Sequence, residues 1–154
     1  MKVYCENPNV FVSKLDSTDS ATLSFVKSLE RRFRFFSIDG GHTVQYLLSD
    51  LRIAEETLSN GGFVLVDDYC SPGFPGVAEG IIGYLQRGGR LLPVCAAGGK
   101  LIMTTLSYRD MAQQHIRGAL KASGLYRSRD TPSLLCGYPY IYFKVRGRLP
   151  PFAA

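Results

Sequence analysis

Two β-rich stretches of this chain run into acid. Phe33 to Ile38 (FRFFSI) ends at Asp39, and Phe63 to Val66 (FVLV) ends at Asp67 and Asp68. An amphipathic segment lies between them, so the unit reads strand, helix, strand. A right-handed crossover sets two such strands parallel and side by side. Ligands of open α/β sheets bind outside the carboxyl ends of the strands. Asp39, Asp67 and Asp68 are therefore expected to converge on one crevice. Carboxylates crowded together raise one another's pKa unless a cation neutralises them. Hard oxygen ligands of this kind suit Mg²⁺ or Ca²⁺, and Mg²⁺ keeps waters that a substrate oxygen can replace. His42 follows Asp39 by three positions at the start of a helix. Imidazole is the side chain best suited to general base work near neutral pH, so His42 is the candidate base.

The same residues have plainer uses. An Asp at a strand end is often the N-cap of the next helix. Asp68 can be a turn residue before Pro72, and His42 can cap or pack. Tyr69 is a substrate wall or a half-buried aromatic. Gly-Gly pairs at 40–41, 61–62, 88–89 and 98–99 read as turns, because none makes a G-x-G-x-x-G or P-loop phosphate cradle. Cys5, Cys70, Cys95 and Cys136 form no CxxC pair, which argues against a disulfide scaffold or a structural zinc. They are expected as small buried hydrophobes in a reducing compartment.

The remaining elements must position the acids. Val10 to Lys14 reads as a short strand. Asp16 to Asp19 is a polar turn, and Asp19 caps a helix carrying Thr22, Phe25, Val26 and Leu29 at helical spacing. From Thr43, the residues Val44, Leu47, Leu48, Leu51, Ala54 and Leu58 form one apolar stripe, which Gly61 and Gly62 stop. The run Phe63 to Val66 is continuously apolar, as in a strand buried on both faces. A Pro/Gly loop at 71–76 leads to a helix over Val77 to Gln86. Arg90 to Cys95 and Lys100 to Thr105 form a hairpin about Ala97-Gly98-Gly99. Ser107 and Asp110 resemble a capping box for a helix to Ser123, and Tyr140 to Val145 is a last strand. The order β-α-β-α-β-α-β-β-α-β predicts an α/β fold, with a mostly parallel sheet, a C-terminal antiparallel hairpin and helices on both faces. The end at 147–154, LPPFAA included, is expected to be a frayed, flexible tail.

Composition narrows the class. The 154 residues suit one domain, 1–154, and 45% hydrophobic with 20% charged residues is ordinary for a globular chain. That excludes a disordered tail. The net charge of +5 is spread over 18 Lys and Arg, without the aromatic-laced basic stripe of a nucleic-acid binder. No apolar run approaches a membrane span, and MKVYCENPN has no signal-peptide core. The expectation is a cytoplasmic protein with neither nucleic acid nor membrane as partner.

The stretch FFSIDGGHT, the amphipathic helix after it and LSNGGFVLVDDY together resemble class I S-adenosylmethionine-dependent methyltransferases. The nearest group is the small-molecule type whose fourth and fifth strands end in IDG-x-H and DD. NVFVSKLDSTDSATL is similar to the third strand and its acidic loop, and PGFPGVAEGIIGYL, LLPVCAAGGKLIMTT and GYPYIYF follow the group's later course. The resemblance implies a partial Rossmann-like sheet. It implies Asp39, Asp67 and Asp68 as ligands of Mg²⁺ and His42, with Asp39, as catalytic residues. It also implies Asp16, Ser17, Asp39 and Gly40 as contacts of S-adenosylmethionine. The reaction would be in-line methyl transfer to a hydroxyl of a small-molecule acceptor.

One departure stands out. The family's first strand, its glycine-rich loop and its second strand have no counterpart, and MKVYCENPN stands where they would be. The Phe33 to Ile38 strand is then an apolar edge, which invites pairing. A homodimer, or rearranged N-terminal residues, is expected to cover it. Two readings follow: a methyltransferase, or a non-catalytic methyltransferase remnant acting through dimerisation or a partner chain. Paired Asp residues also bind sugar-nucleotide phosphates through Mg²⁺, which leaves another metal-dependent transferase as a third.

Overall fold

Asp19 opens the first helix as its sequence position predicts. Its carboxylate accepts the Ala21 N–H at 2.9 Å, satisfying one of the donors that every helix start leaves free. The computed structural model describes residues 10, 12–30, 32–124, 126–128 and 132–145. Helix α1 spans Ser20–Ser28, strand β1 Phe33–Ile38, α2 Val44–Thr57, β2 Leu58–Val66 and α3 Pro75–Gln86. Then come β3 Leu91–Ala97, β4 Lys100–Thr105, α4 Leu106–Ser123, β5 Tyr126–Ser128, β6 Ser133–Leu135 and β7 Tyr138–Val145. Cys5 and the expected tail at 147–154 lie outside the described residues.

The seven strands form one sheet in the order β1-β2-β4-β3-β7-β5, with β6 also on β7. Strands β1, β2, β3 and β7 run one way, and β4, β5 and β6 run against them. The expected hairpin is β3–β4, and it folds back so that β4 sits between β2 and β3. Gly98 (φ 55°) and Gly99 (φ 79°) make its turn, in a backbone region that side chains disfavour. Strands β1 and β2 are parallel neighbours in the register Ile38↔Val66, as the crossover requires.

The core lies between the sheet and helices α2 and α3. Leu47, Leu51 and Ala54 of the α2 stripe meet Ile38, Val64, Val66, Val77 and Ile81 there. Leu51 and Ile81 have no exposed surface, so truncating either to Ala should cost about 2–5 kcal/mol. Helix α4 packs on the other face, against β2, β3 and β4. This face is covered less completely. In β2, Val64 and Val66 are buried while Phe63 and Leu65 are half-buried, so the expected burial on both faces holds for one face only. Strand β1 ends the sheet, and Phe35 at its middle is 58% exposed.

Four local expectations are corrected. Val10 and Val12 to Lys14 form no strand, and Val10, Val12 and Leu15 are exposed. Strand pairing needs a neighbour, and no described strand lies beyond β1. The Gly61-Gly62 pair sits inside β2, which starts directly after α2. Ser107 and Asp110 make no capping box. Thr105 occupies the N-cap, the Ser107 hydroxyl donates to Asn60 Oδ1 at 3.1 Å, and Asp110 pairs with Arg109. Of the described cysteines only Cys95 is buried; Cys70 and Cys136 are exposed. Among the described residues no helix is long and apolar enough to cross a membrane.

Candidate active site

Parallel pairing carries the strand-end acids to one place. The Asp67 N–H donates to the Ile38 carbonyl at 2.9 Å, so Asp39 and Asp67 leave β1 and β2 at the same level. Asp39 does not cap α2. That role belongs to Thr43, whose hydroxyl accepts the Tyr46 N–H at 3.4 Å. Asp39 and His42 are therefore both free of the capping roles open to them in the sequence.

The turn after β1 swings His42 back over the strand ends. Its Nε2 atom lies 3.1 Å from Asp68 Oδ2 and 3.7 Å from Asp39 Oδ1. The ring stacks on Phe74 at a centroid distance of 3.9 Å and 23°. Gly76 makes this approach feasible, because a Cβ there would stand 2.7 Å from the His42 carbonyl oxygen. The His42 Nε2 atom is shut off from solvent and has no aligned hydrogen-bond partner. The 3.1 Å approach to Asp68 is thus an electrostatic contact without hydrogen-bond geometry. Asp68 itself adopts φ 53°, a left-handed conformation that costs a non-glycine residue about 1–2 kcal/mol. Strain of this sort collects at functional sites.

One ligand atom from each of Asp39, His42 and Asp68 lies within 4.8 Å of the others. The expected trio of acids is thereby altered: His42 joins Asp39 and Asp68, and Asp67 stands aside. Its carboxylate pairs with Lys100 and also accepts the Asp68 N–H at 2.8 Å. The Lys100 ammonium, and next the Asp68 N–H, hold the Asp67 carboxyl below the usual carboxylate range. This is opposite to the upward shift expected from crowded acids, and Lys100 is the reason.

The residues expected at the cofactor sit near by with different partners. Asp16 closes its own loop, accepting the Thr18 N–H at 2.9 Å and the Thr18 hydroxyl at 2.7 Å. Those two bonds hold its carboxyl below the ordinary range. Ser17 bonds Asp50, whose carboxyl is pushed up by burial against that bond. A Cβ at Gly40 would stand 3.4 Å from Asp50 Oδ2. A cleft of about 260 Å³ runs along the outer side of β1, between Asp39, Gly40 and Asp50. A larger cavity, about 770 Å³, lies elsewhere: Leu91, Leu92, Leu106 and Tyr138 line it at the opposite end of the sheet.

Residues 6–69 match the family model of a methyltransferase domain. The likeness covers 64 of the 154 residues. The match ends at Tyr69, so it takes in α1, β1, α2 and β2 and with them all seven residues singled out in the sequence. No curated protein matches the chain. Methyltransferases in general draw their methyl group from S-adenosylmethionine. Lys100, Phe74, Gly76 and Asp50 were not singled out from the sequence. Asp50 was the most legible of them, as an acid next to Leu51 on the buried stripe. Lys100 becomes visible only once β4 is known to pair with β2.

Proposed function

We propose that this chain transfers a methyl group from S-adenosylmethionine to a hydroxyl of a small molecule, at a site where Asp39, His42 and Asp68 hold a divalent cation. The observation that carries this reading is the His42 Nε2 atom, enclosed, without an aligned partner and faced by two carboxylates. An unsatisfied buried polar atom costs about 1–3 kcal/mol, and a cation among the three donors removes that cost. Two carboxylates and an imidazole suit Mn²⁺ at least as well as Mg²⁺, because Mg²⁺ favours an all-oxygen shell. When bound, the cofactor supplies an electrophilic methyl on a sulfonium, and the cation lowers the pKa of the acceptor hydroxyl.

The chain's own residues do the positioning on which in-line transfer depends. Phe74 fixes the plane of the His42 ring. Asp39 and Asp50 give the cleft beside β1 acidic walls, which favour the cationic end of the cofactor. At about 260 Å³ this cleft is smaller than the roughly 300–1,000 Å³ of pockets that enclose a whole ligand. It takes part of the cofactor, with Asp16 and Ser17 near its rim. Calorimetric titration with S-adenosylmethionine, with and without Mn²⁺, tests the reading. We expect binding of both, weakened at least about tenfold for Mn²⁺ in Asp68→Asn. Equal Mn²⁺ binding by that variant and the unaltered chain rejects the cation site.

A second reading has its own observation. Strand β1 lies at the sheet edge with Phe35 exposed at its middle. This supports a homodimer in which a second copy covers the edge. It also supports the non-catalytic alternative, in which the chain works by joining a copy or a partner chain. A folded chain that binds no S-adenosylmethionine favours that alternative. The free Cys70, Cys95 and Cys136 support a reducing compartment, the cytoplasm.

A further inference from the structure

Asp67 belongs to the crevice by position but not by partner. It lines the same small cleft as Asp39 and His42. Its carboxylate nevertheless turns to Lys100, at the tip of the β3–β4 hairpin. The sheet register dictates the pairing. Val66 of β2 lies opposite Leu101 of β4, so the next residues outward, Asp67 and Lys100, must face each other. The tight turn through Gly98 and Gly99 delivers Lys100 to that point. Three acids, Asp39, Asp67 and Asp68, thus meet two basic groups, His42 and Lys100.

We infer that the Lys100 ammonium competes with a divalent cation for Asp67, and so withholds a third carboxylate from the Asp39–His42–Asp68 site. This rests on the proposed cation site. With Lys100 in place, a cation meets two carboxylates and one imidazole, together with a positive charge close by. With Lys100 replaced by an uncharged side chain, Asp67 keeps the Asp68 N–H on Oδ1 while its Oδ2 is released, and the repelling charge is gone. The site then offers three carboxylates and one imidazole. Its affinity for divalent cations rises, and its preference moves towards Mg²⁺, which favours oxygen donors. Lys100 is therefore a positioning residue that sets the strength and selectivity of the cation site through Asp67. The side chain is about half exposed, and Asp67 is three-quarters covered, so the contact can open without unfolding the strands.

The test is a Mn²⁺ titration of the full chain, followed by the paramagnetic resonance of free Mn²⁺, with no cofactor or acceptor present. Lys100→Met and Lys100→Gln should each bind Mn²⁺ at least about tenfold more tightly than the unaltered chain. The gain has two sources, the freed Asp67 carboxylate oxygen and the loss of a positive charge beside it. The Mg²⁺ affinity, read by competition, should gain more than the Mn²⁺ affinity. The double variant Asp67→Asn/Lys100→Met should lose the gain. Circular dichroism confirms that each variant folds, and the glutamine variant keeps a polar tip on the hairpin. Folded lysine variants that bind no more tightly than the unaltered chain overturn the inference, whatever the unaltered chain binds. The parent reading fails separately, if Asp68→Asn leaves Mn²⁺ binding unchanged.

Discussion

Asp68 Oδ2 approaches His42 Nε2 to 3.1 Å, and it does so from a residue held at φ 53°. The unfavourable backbone and the close contact belong together. The turn after β2 must reverse within a few residues to reach the Pro/Gly loop at 71–76, and the left-handed conformation at Asp68 points its carboxylate back at the imidazole. The Asp68 N–H is satisfied by the Asp67 carboxylate at 2.8 Å. One acid therefore holds the backbone that aims the next.

Asp68→Gly separates stability from binding. Glycine adopts φ 53° without the steric penalty of a side chain, and one carboxylate leaves the crowded crevice. We expect the variant to be more stable by about 1 kcal/mol and to lose most of its Mn²⁺ affinity. Urea unfolding and Mn²⁺ titration read the two effects. A variant that is both less stable and an equal binder contradicts the account of Asp68.

Gly76→Ala tests how His42 is seated. The added methyl would stand 2.7 Å from the His42 carbonyl oxygen and 3.1 Å from Thr43 Cα. Both neighbours are backbone, so the loop and the start of α2 must shift. Overpacking of this sort costs about 1–3 kcal/mol. The expected result is a lower unfolding midpoint together with weaker cation binding, because His42 moves with its backbone. Gly73→Ala is the control: a Cβ there meets only the Ser71 hydroxyl, at 3.8 Å, and both properties should stay as they are.

The site's framework was legible because it rests on local rules. Asp19 and the α2 stripe follow helix chemistry, and the ends of β1 and β2 follow from one crossover. What escaped the sequence depends on contacts across the fold. The Asp67–Lys100 pair exists because β4 inserts between β2 and β3, which a linear order of elements does not reveal. His42 replaces Asp67 in the cluster for that same reason. The strand expected at Val10 to Lys14 failed differently. Its β-branched and aromatic residues fit a pleat, but a strand is stabilised by cross-strand neighbours more than by propensity, and the described chain offers none there. Ser107 and Asp110 matched a capping pattern, yet Asn60 outcompeted it by drawing the Ser107 and Thr105 hydroxyls to one oxygen, each at 3.1 Å.

Away from the site, Glu55 joins α2 to the turn before β3 and gives the fold a pH dependence. Its carboxylate accepts the Tyr84 hydroxyl, the Arg90 N–H at 3.0 Å and the Arg90 Nε–H at 2.7 Å. Burial pushes the Glu55 carboxyl up, but the bonds from Tyr84 and Arg90 outweigh it and hold it below the ordinary 4.5. A carboxylate with a lowered folded pKa stabilises the fold above its unfolded pKa, and the stability is lost as pH falls through the folded value. Glu55→Gln should therefore be less stable than the unaltered chain at pH 7, by about 1 kcal/mol given that Arg90 is largely solvent-screened. The difference should shrink as pH drops below 4.5. A gap in unfolding free energy that is constant from pH 7 to pH 3 removes Glu55 as the cause.

The β1 edge makes a prediction that does not depend on catalysis. If two copies pair antiparallel about a twofold axis normal to the sheet, equal faces meet, and Phe35 lies opposite Phe35 of the second copy. Arg34 then lies opposite Phe36, and Phe33 opposite Ser37, so no like charges oppose one another. Aromatic cross-strand pairs and cation–π contacts are each worth roughly 0.5–1 kcal/mol at such positions, and the outer backbone groups of β1 gain partners. Phe35→Lys would place two ammonium groups at the centre of that interface while exposing no core residue, since Phe35 is already 58% exposed. Light scattering after size exclusion should find the unaltered chain dimeric and Phe35→Lys monomeric, with the same circular dichroism. Cation binding at Asp39, His42 and Asp68 should be equal in the two, because the edge contributes none of those donors. An unaltered chain that is monomeric at high concentration removes the second copy as the cover for β1.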